Sequence, residues 1–418
     1  MYRRHVLKNG IRIISEKLPH VRSISIGFWV GVGGRDEELC NSGVSHFVEH
    51  MCFKGTMTRS ARDIAEAIDG VGGQIDAFTT KEYTCYYTRI LDQHLALSIE
   101  LLGDMIFNSK LDPEDIEREK GVVLEEINMY EDSPDDQIHD LFMTALWEGD
   151  PLSENILGTS KTVKGMTPKT LFDHIQRYYV PENIVIAAAG NVDHEELVKL
   201  CERFLEKRVR KRNESTRRIA KPRPQIIVKS KPTEQIHILL GVPGLSRNDP
   251  AKYCLGVLDN ITGGGMSSRL FQRLREDRGL VYNAYSYISM FHDTGYFAIY
   301  VGTSFDKAKE VIEIIKEELE SLHVDGATDL EFKRAKEQLK GTLILSLEST
   351  TNRMNRLGLI ETFQEELHTP DEIIHKIDSV TKDEVLYLAK QLFKDGSLAA
   401  AVIGSNGKGD EVKRWGQR

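Results

Sequence analysis

The chain is 418 residues long, and at roughly 150 residues per domain that leaves room for two to four domains with real cores. Hydrophobic residues make up 40% and charged residues 28%, a mixture that excludes a wholly disordered or collagen-like chain. Lys and Arg number 55 against 64 Asp and Glu, a net charge of −9, so the overall field does not favour nucleic acid.

The chain opens on a predicted hairpin, in which His5–Leu7 and Ile11–Ile14 flank Asn9-Gly10, a pair suited to a tight turn. Ser23–Val30 alternates and then turns apolar, as a strand does when it becomes covered on both faces. A helical run begins at Asn41-Ser42-Gly43 and stops near Gly55, and Ser60–Gly70 repeats that grammar as a shorter helix. Residues 73–90, rich in Thr, Tyr and Phe, predict a strand pair. Asp112-Pro113 opens a longer helix, with Asp as cap and Pro at the first helical position. A further helix starts at Thr167 and leads into the short strand Ile184–Ala189.

Residues 207–223 (KRVRKRNESTRRIAKPR) then break the composition with nine basic residues and no aromatic residue to stack on bases. They read as a solvated linker between two halves. The second half echoes the first. Thr167 to Gly190 and Thr381 to Gly404 each run through an apolar helix into an Ala-rich strand, 214 residues apart, and DPEDIEREK from Asp112 is answered by TDLEFKRAK from Thr328 at an offset of 216. Two matches at nearly one offset point to a duplicated unit. The expected fold is α+β: two duplicated α/β-sandwich-like domains, each an antiparallel-rich sheet packed with helices. Their predicted bounds are 1–206, the linker 207–223, and 224–418.

The chemistry centres on His46-Phe-Val-Glu49-His50. On a helix, positions i, i+3 and i+4 share a face, so both imidazoles and the carboxylate project to one spot. Two His side chains four apart can chelate one Zn²⁺, with a third protein ligand needed and one position left for water. The carboxylate at i+3 can take that water's proton. Glu119 and Glu126 lie two helical turns apart on the helix from Asp112 and share one face, so this helix can supply the missing ligand. The echoed helix carries Ala335 and Thr342 at those places, and the second half has no HxxEH. One half therefore reads as metal-binding and the other does not. Gly263-Gly264-Gly265 is not followed by Lys-Ser/Thr, so a phosphate-cradling loop is rejected. Cys52 points off the ligand face and reads as packing.

HxxEH followed by a distant Glu resembles the inverzincin metallopeptidases of the pitrilysin family. The short-chain branch, with bacterial processing-protease homologues and the catalytic subunit of mitochondrial processing peptidase, is the most similar. The block HFVEHMCFKGT from His46 to Thr56 carries the resemblance, and Glu126 stands 76 residues beyond His50. The resemblance implies Zn²⁺ on His46, His50 and Glu126, Glu49 as general base, and Glu119 as the acid that orients the site. It assigns residues 73–80, with Gly73, Asp76, Ala77, Phe78 and Thr79, to an edge strand that holds the substrate peptide by strand addition. Asp76 stands where many relatives have Asn, and lacks the amide donor. Arg275 and Tyr282 match the residues that hold the substrate backbone and hydrogen-bond the oxyanion. In short-chain members these two are expected from the partner chain, so a homodimer with a composite site is implied.

The expected protein is a zinc-dependent endopeptidase that hydrolyses unstructured peptides or presequence-like segments in a dimeric chamber. The alternative is a non-catalytic structural or assembly subunit of the same fold. No nucleic acid and no membrane partner are expected. The five cysteines are odd in number and contain no CxxC, which favours a reducing compartment over a disulfide scaffold. The opening MYRRHVLKNGIRIISE lacks the apolar stretch of a secretory signal, and no run approaches 18 apolar residues, so a cytoplasmic location is expected.

Overall fold

The computed structural model describes residues 2–208, 217–394 and 396–404; of the basic linker 207–223, residues 209–216 lie outside the described residues. In chain order the strands are β1 (Tyr2–Val6), β2 (Arg12–Lys17), β3 (Ser23–Val30), β4 (Gln74–Thr79), β5 (Thr84–Leu91), β6 (Ile184–Gly190), β7 (Ile226–Lys229), β8 (Ile236–Pro243), β9 (Val281–Met290), β10 (Gly295–Thr303) and β11 (Ala399–Ile403). The helices are α1 (Val44–Cys52), α2 (Ala61–Asp69), α3 (Leu95–Asn108), α4 (Pro113–Asp132), α5 (Pro134–Trp147), α6 (Ser160–Lys164), α7 (Pro168–Tyr178), α8 (His194–Leu205), α9 (Lys252–Thr262), α10 (Phe305–Val324), α11 (Asp329–Ser346), α12 (Thr350–Thr362), α13 (Pro370–Ser379) and α14 (Lys382–Leu392). Many starts follow local chemistry. Ser60, Thr167 and Thr381 accept from backbone amides in the first turns of α2, α7 and α14, and Asp112 accepts from the Glu114 amide at the start of α4.

The chain forms two compact units. The first comprises the described residues within Met1–Asn128, Glu154–Arg217 and Ser346–Leu367. Its sheet runs β1-β2-β6-β3-β5-β4, with β2 and β6 parallel and the other neighbours antiparallel. On one face Ile24, Ile26, Phe28, Ile184 and Ile186 join a core with residues of α1, α3, α7 and α8. On the other face Trp29, Val185, Ala187 and Ala189 pack with Met354 and Leu357 of α12. The small residues of β6 and Gly27 of β3 allow that helix close to the sheet. A Cβ on Gly27 would lie 2.6 Å from Met354 Sδ, and one on Gly358 would lie 2.1 Å from the Trp29 ring. Strands covered on both faces cannot alternate in polarity, which is why Ser23–Val30 reads as nearly continuous apolar sequence.

The second unit comprises the described residues within Met129–Ser153, Arg218–Leu345 and His368–Arg418. Its sheet runs β7-β11-β8-β10-β9, with β7 and β11 parallel. This order reproduces β2-β6-β3-β5-β4 strand for strand, so the duplication seen in sequence is a duplication of topology. Its second face is covered by α5, where Phe142 lies 2.6 Å from the place a Cβ of Gly241 would take. Gly241 on β8 follows Gly27 on β3 by 214 residues, the offset of the sequence repeat. The units are therefore interleaved, in place of the single boundary expected at 207–223: α12 belongs to the first unit and α5 to the second. The physical reason is that each central sheet needs an apolar helix on its second face, and that helix comes from the other half of the chain.

Candidate metal centre

Helix α1 is short and one-sided. Val44, Phe47, Val48, Met51 and Cys52 are buried, which leaves His46, Glu49 and His50 half-buried on the opposite side. Its start has no side-chain cap of its own, because the capping position is Gly43, with φ +91°. Glu37 supplies the acceptors instead, taking the amide protons of Gly43 and Ser45, each at 2.7 Å. Helix α4 buries Ile116, Glu119, Val123 and Ile127 and holds Glu126 on the same side, half-buried.

His46, His50 and Glu126 come together: one donor atom from each lies within 4.8 Å of the other two. Glu126 Oε2 is 3.7 Å from His46 Nε2 and 3.6 Å from His50 Nε2. These separations are too long for hydrogen bonds. They suit ligands placed around one ion at about 2.0–2.2 Å from each. Glu126 Oε2 is buried and has no hydrogen-bond partner among the described residues, a costly state for a carboxylate oxygen unless a cation answers it. Two imidazole nitrogens and one carboxylate oxygen are a donor set that fits zinc.

The protonation tendencies agree with this. Burial, helped by the charge of His50, lowers the pKa of His46 to about 4, so this imidazole is neutral and ready to coordinate near neutral pH. At His50 burial pulls downward, but the hydrogen bond to Glu119 and the carboxylates of Glu126 and Glu49 outweigh it and raise the pKa. His50 Nδ1 donates to Glu119 Oε1 at 2.8 Å, which turns Nε2 towards Glu126. Glu119 also receives Lys54 Nζ at 2.7 Å. Burial pushes its carboxyl up, yet the bonds from His50 and Lys54 prevail and hold it below its ordinary value. Glu49 is raised, chiefly by burial, against an opposing hydrogen bond from the Thr79 hydroxyl.

The expected peptide strand is β4, and it stands at the edge of its sheet. Gly73 precedes it at a close approach, where a Cβ would lie 2.5 Å from Ile90. The Asp76 carboxylate accepts from the amide of Ala77 at 2.8 Å and from the Tyr87 hydroxyl at 3.3 Å. Phe78 turns its ring to Trp29, with centroids 5.8 Å apart, so its side chain packs inside the unit. Arg275 and Tyr282 belong to the second unit. Arg275 lies on a π-helical turn, Phe271–Glu276, and its guanidinium stands 5.1 Å from the ring centre of Tyr282, which is 71% exposed at the start of β9. Cys52 is fully buried, in keeping with packing.

Sequence reasoning missed three contacts: Glu37 on the start of α1, Lys54 on Glu119, and Thr79 on Glu49. Lys54 had a readable signal, since it follows His50 by four residues. The other two depend on how loops and strands fold back onto α1.

The chain matches known proteins along its length. Residues 12–160 match the family described as Insulinase (Peptidase family M16), and residues 165–339 match Peptidase M16 inactive domain. The uncharacterized zinc protease YmxG of Bacillus subtilis is 43% identical over 407 residues, covering 97% of this chain and 99% of its own. The chain belongs to the peptidase M16 family. An uncharacterized zinc protease of Streptomyces coelicolor is 42% identical, with 93% of this chain and 87% of its own length covered. Among solved structures, a protease from Helicobacter pylori superposes with a TM-score of 0.90 at 21% identity over 97% of this chain and 99% of its own. A putative M16-like peptidase from Alicyclobacillus acidocaldarius gives 0.86, also at 21%, over 96% and 98%. At these identities the structural likeness is one of fold. Among the described residues no helix is long and apolar enough to cross a membrane.

Proposed function

We propose that this M16 chain is a zinc-dependent endopeptidase that hydrolyses unstructured peptides, as a cytoplasmic homodimer in which Arg275 and Tyr282 serve the partner's metal centre. The observation that carries the reading is the orphaned Oε2 of Glu126, aimed at two imidazole nitrogens with Glu49 on the same helix face. His46, His50 and Glu126 hold the ion; zinc bound there supplies acidification of a water and polarisation of the scissile carbonyl. Glu49 takes the attacking water's proton and delivers it to the leaving amine. Glu119 keeps the His50 tautomer, and Lys54 keeps Glu119. The exposed edge of β4 pairs with the peptide backbone, and the exposed Tyr282 hydroxyl, beside Arg275, stabilises the oxyanion. Presequence-like segments suit such a site because they bring an unpaired backbone. A purely structural subunit would have no use for the converging donors.

Zinc analysis together with cleavage of a quenched, unstructured peptide tests the reading. The wild type should hold about one zinc per chain and turn the peptide over, and a chelator should abolish turnover. Wild type without metal or without turnover refutes it. For the shared site, Arg275→Ala mixed with Glu49→Gln should regain partial activity when chains exchange, and exchange without recovery refutes the trans arrangement.

A further inference from the structure

Thr79 is the last residue of β4, and strand geometry gives it two directions at once. Its side chain follows the alternation of Ile75 and Ala77, which pack on the same core as Phe47 and Val48 of α1. That direction brings its hydroxyl to Oε2 of Glu49, to which it donates. Its main chain points elsewhere. Thr80 donates its amide to the Tyr83 carbonyl at 2.8 Å where β4 turns into β5. Counting back in the antiparallel register, Phe78 and Asp76 bond inward to Cys85 and Tyr87. The amides and carbonyls of Ile75, Ala77 and Thr79 therefore face the open edge. The Ala77 amide fits this phase, since its partner is the carboxylate of its own neighbour Asp76, at 2.8 Å.

We propose that Thr79 is a positioning residue that fixes the Glu49 carboxylate in register with a peptide paired to the same strand. The inference rests on the peptidase reading for its substrate and goes beyond it in tying the base to the strand edge. A carboxylate rotates freely about its last torsion, so one anchored oxygen leaves the other in a defined place. A peptide that adds to β4 bonds to the main chain of the residue whose side chain holds the base. Binding along the strand thereby orders the proton acceptor as well as the scissile bond, and the gain appears in turnover.

The test compares wild type, Thr79→Val and Thr79→Ser with zinc loaded, on a short peptide and on one long enough to pair along β4. Thr79→Val should hold the wild-type zinc content and lose turnover about 10- to 100-fold, the size expected for a lost bond to a charged group. Its KM should change by less than about twofold, and Thr79→Ser should restore kcat to within about threefold. Lengthening the peptide should raise kcat in the wild type and the Ser variant and not in the Val variant. A rise in KM at unchanged kcat would make Thr79 a substrate contact and overturn the proposal, as would failure of Ser to restore turnover. Crystal structures of the three proteins decide the matter independently of turnover. A Glu49 carboxylate spread over several rotamers only in Thr79→Val supports positioning, and one unchanged rotamer in all three refutes it. A wild type that binds zinc and cleaves nothing retires the hydrolytic reading while those crystals still judge Thr79.

Discussion

Glu119→Gln isolates the support beneath the proposed metal ligands, because it keeps the shape of the side chain and removes its charge. In the folded protein Glu119 takes His50 Nδ1–H at 2.8 Å and Lys54 Nζ at 2.7 Å, with its side chain only 4% exposed. Lys54 is 35% exposed and can turn to solvent when its partner is neutralised, so the cost falls mainly on His50. Loss of such a partner weakens metal binding by about 10- to 100-fold, or about 1.4–2.7 kcal/mol. The pH dependence has a definite sign. Glu119 helps raise the pKa of His50, so in the wild type a proton competes with the metal for that nitrogen as the solution becomes acid. Glu119→Gln lowers that pKa and relieves the competition. Its affinity deficit should therefore be largest near pH 8 and should narrow as the pH falls. His46, at about 4, adds little competition over this range. Chelator competition for zinc at several pH values measures both effects, with Glu117→Gln, exposed and paired to Lys120 on the same helix, as the control. A Glu119→Gln affinity equal to that of the control, or a deficit that widens in acid, would refute the reasoning.

Glu49→Gln should keep its zinc and lose turnover by about 100-fold or more, measured by metal analysis and peptide cleavage on one preparation; metal loss in step with activity would make Glu49 a ligand. His174 is buried beside Ser45, and burial lowers its pKa to about 3. A folded-state pKa below the unfolded value of about 6.5 means stability present above pH 6.5 and lost as the pH falls, about 2 kcal/mol by pH 5. Urea unfolding at pH 7 and 5 should show that loss in the wild type and not in His174→Asn, and equal slopes would contradict it. Gly358→Ala places a methyl group against the Trp29 ring and should cost about 1–3 kcal/mol. Gly121→Ala, in the middle of α4 with open space around it, should gain about 0.5–1 kcal/mol. Denaturant titration of the pair checks both signs.

The features legible from residue order alone are those that local spacing can encode. Helical periodicity puts His46, Glu49 and His50 on one face and Glu119 with Glu126 on another, and short caps such as Ser60 and Thr381 mark where helices start. The duplication was legible for the same reason, since each copy keeps its own capped helix and Ala-rich strand, and the matching sheet orders follow it. Which distant groups meet is set by packing between elements far apart in the chain. Glu126 approaches two histidines about eighty residues earlier in the chain. Thr79 reaches Glu49 because β4 lies at the sheet edge beside α1. The exchange of α5 and α12 between the units is likewise absent from any local pattern, because an apolar helix face specifies that it must be covered and leaves open by which sheet. That choice is made by shape, where Gly27 and Gly241 let one particular helix come close.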